Sequence, residues 1–484
     1  MGEIVMDENI QVFYKPENSW VGDFIPYYED GEFKLFYLKN WRDNYQEGYK
    51  RGWHLITTSD FIDFKEEGAC NIVGGTGSII KIDDLYHMFY CKFPSAEEQL
   101  VCHAISKDLE IWEDITEDTF TADGKIYDKA HWRDPHVFWN KKEGEYWMLI
   151  STRTVAGKST RTGCVGLCTS QDLKKWKYQQ PLYAPGIHVG AHECADMFKI
   201  GDWWYLIYSN YTDNFRTFYR MSRSPEGPWI TPANDTFDGR AFYAAKSTFD
   251  GEKYYIFGWN PTKESNHFGF NPENYQGKDY DTWDWGGSLI VHQLLQNDDG
   301  TLAVKIPDTV SAKFKKGLPL SFNEGQGEWD INTNTYKTES NYAFSSLISN
   351  EDIPSVCKIS GKLNFGKDTK ACGIMLRVQD DLAHGYYYRL EPNRDRLLFR
   401  SHLMQSEEGG KTFPYEAELE RPVHLEFGKE YNFNIIIDDT ICEFYFNDEI
   451  VMSSRIYDLK EGKLGIFVSE GIGQFTDLSI NVID

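Results

Sequence analysis

Gly201-Asp202-Trp203-Trp204-Tyr205-Leu206-Ile207-Tyr208 opens on a turn-prone pair, passes through aromatics and ends in an apolar run. It reads as a β-strand entered from a tight turn. The same phrase stands at Gly31 (Gly-Glu-Phe-Lys-Leu-Phe-Tyr), Asp83 (Asp-Asp-Leu-Tyr-His-Met-Phe-Tyr), Gly144 (Gly-Glu-Tyr-Trp-Met-Leu-Ile) and Gly251 (Gly-Glu-Lys-Tyr-Tyr-Ile-Phe-Gly). Successive copies begin 52, 61, 57 and 50 residues apart. Repetition at this period marks stacked supersecondary units, and an all-β unit of this length is a propeller blade. The copies predict five blades whose innermost strands begin around one axial mouth.

A second repeat is interleaved with the first. Ser59-Asp60-Phe61, Ser106-Lys107-Asp108-Leu109 and Ser170-Gln171-Asp172-Leu173 each follow a strand, and a looser copy starts at Ser222. Each places turn-prone residues before an aromatic that would pack between blades.

With 484 residues the chain is long enough for two or three domains. Aromatics make up 16% of it, and long amphipathic helical patterns are scarce, which suits many short strands. The formal net charge of −25 repels phosphate backbones and anionic lipid, so nucleic acid and membrane are poor partners and a small carbohydrate is compatible. Nine cysteines without a CxxC pair read as buried thiols of a reducing compartment. No basic, apolar leader opens the chain and no run is long enough to span a bilayer, so a cytoplasmic enzyme is expected.

The propeller is expected over residues 1–306, a linker over 307–319 and a second domain over 320–484. Between the last turn phrase and the linker, Glu264 to Trp285 lacks periodicity and reads as a long surface loop. After Leu320 short alternating strands follow one another, with Asp438-Asp439 and Asn447-Asp448 as hairpin turns, which is the texture of a β-sandwich. The sandwich is expected to brace the propeller, and a second copy of the chain remains a possible partner.

Counting back from each turn phrase to the start of the preceding strand reaches Asp23, Asp134 and Glu193 in the first, third and fourth units. The second offers Gly75-Thr76-Gly77-Ser78 and the fifth Phe242-Tyr243-Ala244-Ala245. Three acids at equivalent places would face one mouth, where crowding of like charge raises at least one pKa. Two carboxylates flanking a bond are the machinery of glycoside cleavage: one attacks the anomeric carbon, the other protonates the leaving oxygen and later activates water. Trp20, Trp132, Trp203 and Tyr243 offer flat faces for a sugar ring. Gly77, Ser78 and His192 are further expected sugar contacts. His131, His136 and His192 lack ligand spacing, so neither metal nor other cofactor is expected.

At these residues the chain resembles glycoside hydrolase family 32, the invertase, inulinase and levanase group. Arg133-Asp134-Pro135 is similar to that family's Arg-Asp-Pro motif, His192-Glu193-Cys194-Ala195-Asp196-Met197-Phe198 to its Glu-Cys motif, and Trp20-Val21-Gly22-Asp23 to its nucleophile motif. Asp238-Gly239-Arg240-Ala241-Phe242-Tyr243-Ala244 and Gly258-Trp259 also fit. The resemblance implies a five-bladed propeller joined to a C-terminal β-sandwich. It implies Asp23 as nucleophile, Glu193 as acid/base, Asp134 as transition-state stabiliser, Arg133 beside the sugar hydroxyls, and retention of configuration with the first two about 5–5.5 Å apart. The family's Asn before the nucleophile is Gly22 here, its Pro-Asn after it is Phe24-Ile25, and a frequent Gln is Leu38. The expected reaction is hydrolysis of terminal β-fructofuranosides. An arabinofuranosidase or other furanosidase, a fructosyltransferase and a noncatalytic sugar-binding propeller are the alternatives.

Overall fold

A computed structural model describes residues 11–41, 52–155, 159–264, 279, 282–400 and 419–484. Most of the loop expected at 264–285 lies outside these residues. The protein is all-β, a β-propeller followed by a β-sandwich, and it divides into two compact units. One comprises Tyr14–Pro261 and Trp285–Leu302; the other comprises Met1–Phe13, Thr262–Asp284 and Ala303–Asp484.

In the propeller unit, β1 (Trp20–Glu29), β2 (Glu32–Asn40), β3 (Trp53–Thr58) and β4 (Lys65–Ala69) run antiparallel in order. Next come β5 (Gly75–Ile82), β6 (Leu85–Lys92), β7 (Leu100–Ser106) and β8 (Trp112–Asp114), which form a separate sheet. A third sheet holds β9 (Tyr127–Asn140), β10 (Glu145–Thr154), β11 (Gly163–Ser170) and β12 (Lys177–Tyr178). A fourth holds β13 (Glu193–Ile200), β14 (Trp203–Asn210) and β15 (Arg216–Ser222). The last strands are β16 (Tyr243–Phe249), β17 (Tyr254–Glu264) and β18 (Thr282–Gln296); β18 pairs with β1 at Gly287 and Val21, so first and last strands share one sheet.

Every turn phrase falls on the hairpin between the first two strands of its group. Gly31 and Gly251 adopt φ of +83° and +97° there, a conformation that glycine reaches without Cβ strain. The serine-acid repeat folds as expected: Phe61 and Trp112 are buried aromatics, and Trp112 packs between the first two sheets. In two copies a serine or threonine hydroxyl accepts the N–H of Phe61 or Leu109, and Asp60, Asp108 and Asp172 accept the next amides. Phe61, Leu109 and Leu173 are thereby turned left-handed and pressed into the core.

Clusters shared by successive sheets hold the unit together. Ile25, Phe36, Trp53, Met88, Tyr90 and Trp112 form one, and Phe89, Tyr127, Trp132, Met148 and Cys168 another. Each fully buried side chain of this kind contributes about 1.5–3 kcal/mol.

The strands β1, β5, β9, β13 and β16 share one irregularity near their start. The register shifts between Gly22 and Ile25, Gly75 and Ser78, Arg133 and His136, Glu193 and Asp196, and Tyr243 and Lys246. A bulge re-aims side chains and sharpens local twist. Within it Asp23, Asp134, Cys194 and Ala244 take φ of 47°, 54°, 51° and 52°.

The sandwich unit is built on one long strand, Lys463–Ile483, which pairs with Phe314–Leu318, Thr335–Asp352, Val356–Phe365 and Ala371–Val378. The segment expected as a linker thus carries a helical turn, Asp308–Ser311, and a sheet strand. Asp439 and the pair Asn447-Asp448 turn the expected hairpins with positive φ. All nine cysteines are buried free thiols. Among the described residues no helix is long and apolar enough to cross a membrane.

Candidate active site

The five bulges put a small set of side chains together. Asp23 and Asp134 occupy the same left-handed place in β1 and β9, whereas Glu193 stands one residue earlier, in line with Gly22, Arg133 and Tyr243. Cys194 fills the place equivalent to the two aspartates. The expected equivalence of three acids is therefore corrected: two are equivalent and the third is offset by one. Arg133 nevertheless joins Asp134 to Glu193, and Asp23 lies near enough to feel the charge of both. The Arg133 Nη2 donates to Glu193 Oε1 at 2.6 Å and its Nε lies 3.8 Å from Asp134 Oδ2.

Each carboxylate has its own support. Asp134 is 5% exposed, and its Oδ2 accepts the Cys194 N–H at 3.0 Å. Glu193, partly exposed, accepts Arg133 on one oxygen and the Tyr243 hydroxyl on the other at 2.6 Å. Asp23, also partly exposed, accepts the Trp259 indole N–H at 3.1 Å. Tyr243 stacks on Phe215 with centroids 4.1 Å apart, and Trp259 packs edge-on to Tyr243 and tilted against Trp285. An aromatic wall thus runs from Asp23 to Glu193.

Burial and then the Asp134 charge push the Asp23 carboxyl up to about 7, against the Trp259 hydrogen bond. Burial works against the Arg133 charge, yet Glu193 and Asp134 hold its pKa above the usual arginine value. Burial and the Glu193 charge hold the Tyr243 phenol well above its ordinary range, so it stays a donor.

The other expected contacts divide. Trp20 is partly exposed at the start of β1. Ser78 is buried and its hydroxyl accepts the Val137 N–H at 2.9 Å, tying β5 to β9. Gly77 allows β5 and β6 to approach, since a Cβ there would stand 1.7 Å from the Phe89 carbonyl oxygen. His192 leaves the cluster: it is fully buried, stacked on Tyr208 and bonded to His188 at 3.0 Å. Trp132 is likewise fully buried in the core, and Trp203 sits at the hairpin end of β14, away from Ser209, which pairs with Glu193. Of the other histidines, His131 lies against Arg153 and His136 lies 3.2 Å from Asp196.

Trp259, Phe215, Cys194, Trp285 and Lys246 belong to this neighbourhood and were given no role from sequence. Trp259 was within reach, because it pairs with Tyr243 at equal distance on either side of Gly251. Trp285 was not, because it ends the stretch without periodicity. Its ring covers Gly22, whose added Cβ would stand 2.5 Å from Cη2. Gly22 is also the register partner of Leu38.

Residues 13–280 match the N-terminal domain of the glycosyl hydrolases family 32, and residues 326–482 match its C-terminal domain. The chain belongs to this family. Among family 32 relatives, the sucrose-6-phosphate hydrolase of Escherichia coli is 23% identical over 360 residues, 71% of this chain. The chain spans 65% of that relative's length, slightly under two thirds. The extracellular exo-inulinase of Aspergillus niger is 20% identical over 75% of this chain and 76% of its own. In fold, this family 32 chain is similar to an exo-inulinase from Aspergillus awamori, with a TM-score of 0.71 and 15% identity over 97% of this chain and 96% of the other. It is equally similar to fructan 1-exohydrolase IIa from Cichorium intybus, with a TM-score of 0.71 and 16% identity over 98% and 96% of the two chains.

Proposed function

We propose that this protein is a retaining glycoside hydrolase that releases terminal fructofuranosyl units from fructosides. The observation that carries the reading is the pairing of Asp134 and Glu193 on one arginine, with Glu193 gripped on both oxygens and Asp23 close enough to feel both charges. The relatives named as sucrose-6-phosphate hydrolase and exo-inulinase support fructose as the released sugar.

In the first half-reaction a carboxylate oxygen of Asp23 attacks the anomeric carbon while Glu193 gives its proton to the glycosidic oxygen. The bond from anomeric carbon to leaving oxygen breaks, and the departing alcohol carries that proton away. In the second, Glu193 takes a proton from water as the water oxygen attacks the same carbon and Asp23 leaves as carboxylate. Asp134, pinned by the Cys194 amide, presents fixed negative charge to the sugar as positive character develops at the anomeric centre. Arg133 orients Glu193 and Asp134 together. The aromatic wall supplies an apolar face and limits water.

One observation favours a second reading, a furanosidase for a different sugar: Gly22, Leu38 and Trp285 make an apolar edge beside Asp23 where family 32 usually places polar side chains. Sugar release from sucrose, short fructo-oligosaccharides, inulin, levan and aryl arabinofuranosides decides between them. Free fructose supports the first reading, pentose release supports the second, and silence on the whole panel overturns both.

A further inference from the structure

Two residues beyond Asp23, Thr76, Asp134, Cys194 and Ala244, the strands β1, β5, β9, β13 and β16 present Ile25, Ser78, His136, Asp196 and Lys246. This is the next layer beneath the acids, and it is charged. Lys246 is 2% exposed, and its Nζ donates to the Gly77 carbonyl at 2.5 Å. Among the described residues no carboxylate lies within contact distance of that ammonium. Asp196 is bound elsewhere, to the Ser247 N–H at 2.6 Å and beside His136 at 3.2 Å. Burial drives His136 down to about 4 despite Asp196, so it contributes no positive charge at neutral pH.

A buried ammonium without a carboxylate in contact is costly unless nearby negative charge offsets its desolvation. The catalytic cluster has that charge to offer. Arg133 is taken by Glu193 and Asp134, and among the described residues the contact donor to Asp23 is the neutral Trp259 indole. The groups that act on Asp23 are Asp134 and Glu193, which repel its charge, and Trp259 and Lys246, which favour it. Three carboxylates therefore share two cations, Arg133 in contact with the pair Asp134–Glu193 and Lys246 acting on Asp23 without contact.

We propose that Lys246 is a positioning residue for the reaction: its buried ammonium is a counter-charge that favours the anionic form of Asp23, the form able to attack. The inference rests on Asp23 as the nucleophile, and it explains why a lysine stands where Ile25 and Ser78 stand in other strands.

The test compares kcat/KM against pH for the full-length wild type, Lys246→Met and Lys246→Gln on a furanoside that the wild type cleaves. Loss of the counter-charge moves the acidic limb up by about one pH unit, so kcat/KM falls about ten-fold at pH 5 and less than about three-fold at pH 9. A uniform loss at every pH with an unmoved limb overturns the proposal, as does an unchanged profile. A second measurement needs no turnover. At pH 8, Lys246→Met should lower Tm by at least about 2 °C more in the Asp23 protein than in Asp23→Asn, where the anion is gone. Equal losses in the two backgrounds overturn the counter-charge. An inactive wild type with the Tm difference intact overturns the proposed activity instead, so the two failures are told apart.

Discussion

The indole of Trp285 lies over Gly22 so closely that a Cβ on that residue would stand 2.5 Å from the ring. Gly22 and Leu38 are register partners, so these two of the three departures from the family motif, together with this tryptophan, lie at one edge of Asp23. The missing amide has not left a hole, because an aromatic ring occupies its room.

Restoring the family's residue should therefore fail alone and succeed in company. Gly22→Asn should cost about 1–3 kcal/mol by overpacking against Trp285. Combined with Trp285→Ala, the same change should recover part of the lost Tm, and KM for sucrose should drop below that of Gly22→Asn. Thermal melts and initial rates on the two variants check this. Additive losses would mean that the glycine and the ring are unrelated.

Asp23→Asn keeps the shape of the nucleophile and removes its charge. Turnover should fall by about 10⁴-fold or more, while affinity for the released sugar changes little. Stability should move the other way. A carboxyl near 7 in the folded protein and near 3.8 when unfolded binds more protons when folded between those values. Stability from this group is thus lost as pH rises through that window and stays low above 7. The variant should therefore gain more Tm over wild type at pH 8 than at pH 4, read by melts at both values.

Glu193 is held by Arg133 and Tyr243, and the two bonds do different work. Tyr243→Phe removes one hydrogen bond to a charged group, so kcat/KM should fall about 10- to 100-fold with the fold intact. Arg133→Lys keeps a charge but loses the planar group that reaches both Glu193 and Asp134, and should cost more. Steady-state kinetics beside unchanged circular dichroism spectra test the order; an equal or reversed ranking would refute it.

Asp134 combines a structural and a chemical task that substitution can separate. Asn retains an oxygen for the buried Cys194 N–H, so Asp134→Asn should melt near wild type yet lose about 10²–10³-fold in kcat. Asp134→Ala orphans that amide and should cost a further 1–3 kcal/mol or so in stability. Comparing kcat and denaturant midpoints for the two variants checks the separation.

The turn phrases were legible because hairpin chemistry is local: Gly31 or Gly251 needs no distant residue to dictate a left-handed turn. The acids were legible for the same reason, each counted from its own turn. What distance counting missed is the bulge. It puts Cys194, not Glu193, level with Asp23 and Asp134, and nothing in the residue types announces the shift. Two of the misplaced contacts share one cause. Neighbours along a strand face opposite sides, so with Arg133 and Glu193 in the cluster, Trp132 and His192 are directed into the core. Lys246 went unread because its charge has meaning only against acids brought near by other strands. Trp285 was hidden by the lack of period around it.

The first hairpin of each propeller group serves two masters at opposite ends. At the turn, glycine or aspartate with an aromatic behind it must recur, because chain reversal and packing admit few substitutes. At the bulge, Asp23, Thr76, Asp134, Cys194 and Ala244 have little in common beyond modest size. These five places work as interchangeable sockets. A lineage built on this frame can exchange one plug for another and so change what the enzyme grips, without renegotiating how the chain folds.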